Sequence, residues 1–204
     1  MKYIRKLYDW VLHWADTPYG PSALFLLAFA EASFFPIPPD PLLIALVLGA
    51  RQRAFKFAMH CSIASVLGAL LGYGIGHFAW WTASGEFTSL AHFFFNNVPG
   101  FTVERFSTVQ GLYDQWNFWI VFTAGFTPLP YKVFTISGGA FNINLFMFLL
   151  ASVISRSARF FLVAGLIWKF GPGIQSFIDK YFNWLAIGFT VLLIGGFMVV
   201  KYLL

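Results

Sequence analysis

Apolar residues fill the chain from Ala23 to Phe35, stop at "PIPPDP", and resume from Leu42 to Ala50. At 1.5 Å rise per residue the first arm reaches about 20 Å and the second about 14 Å, against a bilayer hydrocarbon core of about 30 Å. Neither arm spans alone. A helix cannot run through Pro36, Pro38, Pro39 and Pro41, because each removes an amide and its ring clashes with the preceding turn. Residues 22–50 therefore read as a re-entrant hairpin, whose unpaired backbone is tolerable only inside protein or against water. The pattern then returns. Phe118 to Phe126 is a short apolar arm, "TPLPYK" breaks it, and Val133 to Phe141 is a second one. "PIPPD" sets against "PLPYK" with Pro36 on Pro128, Pro38 on Pro130 and Asp40 on Lys132. Upstream, "LYDW" at 7–10 is echoed by "LYDQW" at 112–116.

Three other apolar segments are long enough to cross a bilayer: 57–81, 145–168 and 184–204. The first carries Gly68, Gly72 and Gly76 four apart, a face that admits a close neighbour. Residues 1–20 show apolar positions Ile4, Leu7, Tyr8, Val11 and Leu12 at helical spacing, with Lys2, Arg5, Lys6, Asp9 and Asp16 mostly elsewhere on the wheel. This predicts an amphipathic helix in the membrane interface, and no cleavable signal. Residues 102–141 read as an amphipathic helix followed by the second hairpin. The order of amphipathic helix, broken hairpin and full helix thus occurs twice, the mark of an internal repeat within one domain, 1–204. The expected fold class is an all-α integral membrane protein with two inverted re-entrant hairpins, about three full transmembrane helices and interfacial helices.

Composition agrees. Of 204 residues, 59% are hydrophobic and only 10% charged, and the mean hydropathy is +0.72; soluble domains carry far more charge. The net charge of +5 comes without any long basic run, so it reads as positive-inside anchoring and not as a nucleic-acid surface. Lys2, Arg5 and Lys6 precede the first hairpin, and Arg51, Arg53 and Lys56 follow it, which places both flanks and the N-terminus in the cytoplasm. Residues 82–116 hold Glu86, Glu104 and Asp114 against Arg105, as an outer loop would. Lys169 and Lys180 mark the return side. Trp80, Trp81 and Trp184 stand at helix ends, where interfacial aromatics belong.

Catalytic chemistry has little to work with. The lone Cys61 excludes an intramolecular disulfide and a cysteine metal cluster. His13, His60, His77 and His92 form no ligand set, and no phosphate loop, nucleophile elbow or zinc-protease motif occurs. No enzyme activity, metal or cofactor is expected.

The isolated charges are the candidate site. Glu31 has no helical reason to lie mid-arm and must be protonated, paired or in a wet cavity. Asp40 before Pro41 suits an N-cap and N1 pair. Arg156 and Arg159 lie three apart on one face near the middle of 145–168. They suit either a fixed ion pair with Glu31 or Asp40 or, through their guanidinium forks, a phosphate. Lys132 follows the second proline tip, open to pairing with Asp40 or to an anionic head group near helix N-termini. Asn142 and Asn144 read as loop-capping residues. Taken with the family resemblance of the motifs quoted next, the functional expectation is a protein whose two hairpins line a path for a lipid head group. Lys132, Arg156 and Arg159 would bind phosphate, and Glu31 and Asp40 would serve as a proton or charge relay. The alternatives are a proton-coupled small-ion transporter, a membrane enzyme acting on lipid phosphates, and a non-transporting assembly factor. The expected partners are membrane lipids, with homo-oligomerisation left open.

"FAEASFFPIPPD" (29–40), "GFTPLPYKVFTISGGAFN" (125–142) and "SRSARF" (155–160) resemble the DedA membrane family, whose domain is also called VTT or SNARE-associated. The resemblance spans about Ser22 to Phe161 and is strongest toward the short bacterial YqaA-like branch. It implies a bacterial cytoplasmic-membrane protein with two inverted re-entrant hairpins that moves undecaprenyl phosphate or phospholipid, with proton coupling proposed for some members. Glu31 and Asp40 match the family's acidic positions. Many members read Arg-Phe-x-Pro-x-x-Arg in the second hairpin; here Gly125 stands in place of the first arginine and Tyr131-Lys132 near the second.

Overall fold

A computed structural model describes residues 14, 17–35, 37–98, 102–127, 129–171 and 173. The expected interfacial helix at 1–20 and the apolar segment 184–204 lie outside the described residues, apart from Trp14 and the stretch from Thr17. So do Pro36 and Pro128. Within them the protein is all-helical. Helix α1 spans Gly20–Ser33 and α2 Asp40–Gly49. A 3-10 turn, Arg51–Arg53, leads into α3, Ala54–Trp80. Helix α4 is Ser89–Asn97, α5 Val103–Phe126, α6 Tyr131–Ala140 and α7 Leu145–Phe170. Two of these stretches, Arg51–Trp80 and Leu145–Phe170, are long and apolar enough to cross a membrane.

The helix ends follow local chemistry. Pro21 and Pro41 sit in the first turns of α1 and α2, where a missing amide costs nothing. Thr88, Thr102 and Asn144 accept from the Ala91, Arg105 and Met147 amides and so cap α4, α5 and α7. Asn142 takes a left-handed conformation, φ 53°, in the turn between α6 and α7. Asn142 and Asn144 thus act as expected. The amphipathic segment and first apolar arm expected near 102–126 are one helix, α5, bent at Trp116 (φ −117°, ψ 16°).

Glycines set the packing. A Cβ at Gly68 of α3 would run into the Phe29 carbonyl of α1, one at Gly72 into the Thr135 hydroxyl, and one at Gly76 into the Ile136 carbonyl of α6. In return, Gly139 of α6 faces the Tyr73 carbonyl. Both α1 and α6 therefore lie backbone-close on one face of α3. Helices α2 and α5 pack on α7, and α3 packs on α7. The arrangement has a regular exchange in it. The first arm of each broken pair packs on the long helix that follows it, and the second arm on the other long helix.

Contacts also fix direction. Phe55 meets Trp168 while Tyr73 meets Phe148, so α3 and α7 are antiparallel. Asp40 reaches Arg159, and Arg51 just beyond α2 reaches the Trp168 carbonyl. Asn117 reaches Asn144, and Gly125 lies against Ser155. The α1–α2 unit accordingly starts at the Trp168 end, breaks near the midpoints of α3 and α7, and returns to that end. The α5–α6 unit does the same from the Asn144 end. Two apolar cores result. Leu24, Leu43, Val47, Phe57 and Phe160 fill the first; Val121, Tyr131, Ile143, Phe148 and Ala151 fill the second.

Candidate functional site

Between the two cores lies a polar layer at the level where both units break. Arg156 is its centre and is 2% exposed. Its Nη2 donates to Glu31 Oε2 at 2.6 Å, and its Nε donates to Ser65 Oγ at 2.6 Å. The guanidinium also lies over the rings of Tyr131, at 4.8 Å, and Phe160, at 4.7 Å. Tyr131 is itself held, its hydroxyl donating to Ser152 Oγ at 2.6 Å. Burying two charges is costly unless they are paired and their remaining groups are bonded; here the two are paired, and the guanidinium has Ser65 as a second acceptor. One turn along α7, Arg159 donates from Nη2 to Asp40 Oδ1 at 2.9 Å and from Nη1 to the Phe126 carbonyl at 3.4 Å. This second pair is the wetter one, its side chains 16% and 20% exposed.

Each arginine thus joins the two units. Arg156 holds Glu31 of the first and the Tyr131 ring of the second. Arg159 holds Asp40 of the first and the last residue of α5. Arg159 Nε is buried and has no hydrogen-bond partner among the described residues. Arginine offers five donors, and a donor left unmade in a low-dielectric site favours an incoming acceptor.

Most of the expected site residues meet here. Glu31, Asp40, Arg156 and Arg159 form two ion pairs, one for each acid. Pro38 and Pro130 lie in the breaks, Pro130 directly before α6. Two expectations are corrected. Asp40 is not the N-cap of α2; that position is Pro39, and Asp40 is the first helical residue with its carboxylate turned to Arg159. Lys132 does not pair with Asp40, because Arg159 already occupies it; among the described residues Lys132 is in no ion pair. Its carbonyl accepts from the Thr135 hydroxyl, which also donates to the Ala32 carbonyl and stitches α6 to α1. At Gly125 there is no room for a side chain. A Cβ would run into Ser155 Oγ and lie 3.3 Å from the Tyr131 ring. The cations at this level come from α7 instead.

Ser65, Tyr131 and Ser152 were not singled out by sequence. They are neutral residues in apolar helices, and only the "PLPYK" motif offered a signal, for Tyr131.

Two relatives match almost end to end. One is a Haemophilus influenzae protein described as uncharacterized, 32% identical over 204 residues, 98% of this chain and 100% of that protein. The other, from Histophilus somni and also described as uncharacterized, is 34% identical over 201 residues, 98% of this chain and 100% of its own length. No family model and no solved structure matches.

Proposed function

We propose a transport role for the family to which this chain belongs, the one it shares with the Haemophilus influenzae and Histophilus somni proteins. In this reading the protein is a DedA-type protein of the bacterial cytoplasmic membrane, multi-pass, with its N-terminus in the cytoplasm. The helices α3 and α7 span. The α1–α2 and α5–α6 units are re-entrant hairpins entering from opposite faces, with Trp168 on the cytoplasmic side. The cargo is a lipid phosphate, either undecaprenyl phosphate or a phospholipid, whose head group passes the polar layer while its chains stay in hydrocarbon.

The observation that carries the reading is the placement of Arg159. It sits at mid-height where the two tips meet, half-satisfied by a partly exposed carboxylate and with one buried donor unpaired. A phosphate brings several strong acceptors and forms charge-assisted bonds to guanidinium. It can displace Asp40, take the open Nε and recruit Lys132. Arg156 is closed to such exchange, since Glu31, Ser65 and two rings enclose it. The two arginines therefore divide the work: Arg156 holds the tips together, and Arg159 meets the head group. Displaced by phosphate, Asp40 becomes a free carboxylate.

The test is transbilayer movement of labelled phosphatidylglycerol and of an isoprenoid phosphate in proteoliposomes. Arg159→Gln and Lys132→Gln should slow it while the protein remains folded. Rates equal to wild type for both lipids would overturn the reading.

A further inference from the structure

An apolar cleft runs along the flank of the first unit, with a volume of about 650 Å³. Trp14, Tyr19 and Ser22 stand at its outer end, Leu26 and Ala30 along its length, and Phe34 at its inner end. From Tyr19 to Phe34 the chain rises about 22 Å along α1, at 1.5 Å per residue. One leaflet of hydrocarbon is about half of a 30 Å core. The cleft therefore reaches from an interface to the level where the unit breaks. It carries no charged group, and its polar oxygens, those of Tyr19 and Ser22, are at the outer end.

The second unit has a cleft in the matching place, about 340 Å³. In the alignment that sets Pro36 on Pro128, Leu27 falls on Trp119 and Leu42 on Phe134, and all four line their respective clefts. The geometry of a broken pair makes the cleft, and side-chain size sets its width. At Ala23 and Ala30 the wall of the first cleft is made of small side chains.

We propose that the first cleft seats one hydrocarbon chain of an anionic lipid, with the head group at its outer end. This rests on reading the chain as a membrane protein. An apolar space of this size stays dry, so it is filled by hydrocarbon or by protein. The charge at its mouth favours lipid. A smaller recess of Pro21, Ser22, Phe25, Leu26 and His60 shares Ser22 and Leu26 with the cleft. His60 bonds the Lys56 carbonyl, and Arg51, Arg53 and Lys56 are all exposed at that end of α3. A basic cluster of this kind attracts acidic head groups. The lipid would wait with its phosphate at the interface and its chain already leading to the tips.

The full-length protein in vesicles of phosphatidylcholine and phosphatidylglycerol, the latter carrying a diazirine in one acyl chain, tests this. After photolysis, label should be enriched several-fold on Leu26, Ala30 and Phe34 relative to Ile63 and Leu67, which are exposed on α3. Ala30→Trp or, independently, Ala23→Phe should abolish the enrichment and leave labelling of Ile63 intact. Equal labelling of cleft and α3 surface, or an unlabelled cleft beside a labelled surface, would overturn the proposal. Absence of label on Ile63 and Leu67 as well would instead overturn the membrane reading beneath it. Enrichment with the phosphatidylcholine analogue equal to that with phosphatidylglycerol would remove the head-group part.

Discussion

The two broken units share a shape and differ in what ties them down. The first is tied at its tip by charge, Glu31 to Arg156 and Asp40 to Arg159. The second is tied at its base by neutral hydrogen bonds. Trp81 Nε1 donates to the Ala140 carbonyl, Gln110 to the Phe141 carbonyl and the Tyr73 hydroxyl to the Ile143 carbonyl, each at 2.7 Å. At the base of the first unit Arg51 donates to the Trp168 carbonyl, an exposed contact. The partly exposed Asp40–Arg159 tie is the one an anion could compete for, and neutral bonds at a distant base are not. Under the transport reading proposed above, the first unit would be the one a phosphate loosens, and the second the fixed wall against which it works.

Changes at the buried pair should break this comparison hardest. Glu31→Gln or Arg156→Gln alone leaves an uncompensated buried group and should cost about 3–5 kcal/mol in detergent unfolding. The double variant should recover part of it, whereas Glu31→Gln with Arg159→Gln should be additive. Coupling to Arg159 instead of Arg156 would refute the division of labour between the arginines.

Gly125→Ala comes next. It forces Ser155 and Tyr131 aside at the second tip and should cost about 1–3 kcal/mol. At Gly111, also in α5 but with open space around it, the same change should stabilise by about 0.5–1 kcal/mol through helix propensity. A neutral Gly125→Ala would mean that the second tip can yield like the first.

Removing one base tie is smaller. Trp81→Phe should cost about 1 kcal/mol, and hydrogen exchange should rise at 138–144 without rising at 31–43. A rise at both would mean that the units open together.

The least effect on stability is expected from Asp40→Asn, at most about 1 kcal/mol for a partly exposed pair. Its effect on transport should be larger than its effect on melting, because it frees Arg159 without disturbing Arg156. A loss of stability as large as for Glu31→Gln would make the two pairs equivalent.

How far the chain could be read in advance follows from where its signals are strong. Length against rise per residue and clustered prolines marked the two broken pairs, and α1, α2 and α6 lie within a few residues of the expected arms. The long helices run Ala54–Trp80 and Leu145–Phe170, slightly displaced from 57–81 and 145–168. Helix α4 was not foreseen, since "SLAHFFFNN" is only nine residues long, lies in a segment read as a loop, and depends on Thr88 as cap. Ionised residues in an apolar sequence stand out, so Glu31, Asp40, Arg156 and Arg159 were visible. Which acid meets which arginine was not, because that depends on the register in which glycines seat α1 on α3. Ser65 and Ser152 were silent for the same reason, being ordinary residues made polar partners by tertiary contact.

The ion pairs also carry a consequence for how the protein is made. Glu31 and Arg156 are 125 positions apart in sequence, and Asp40 and Arg159 are 119 apart. At about 5–20 residues per second, a ribosome needs of the order of 6–25 s to reach the second member of each pair. Through that interval the first broken unit exists without its cations. In the membrane reading proposed above, its carboxylates would have to remain at the surface or be sheltered until then. The first unit is therefore synthesised early but seated late, since both of its ionic ties wait for α7.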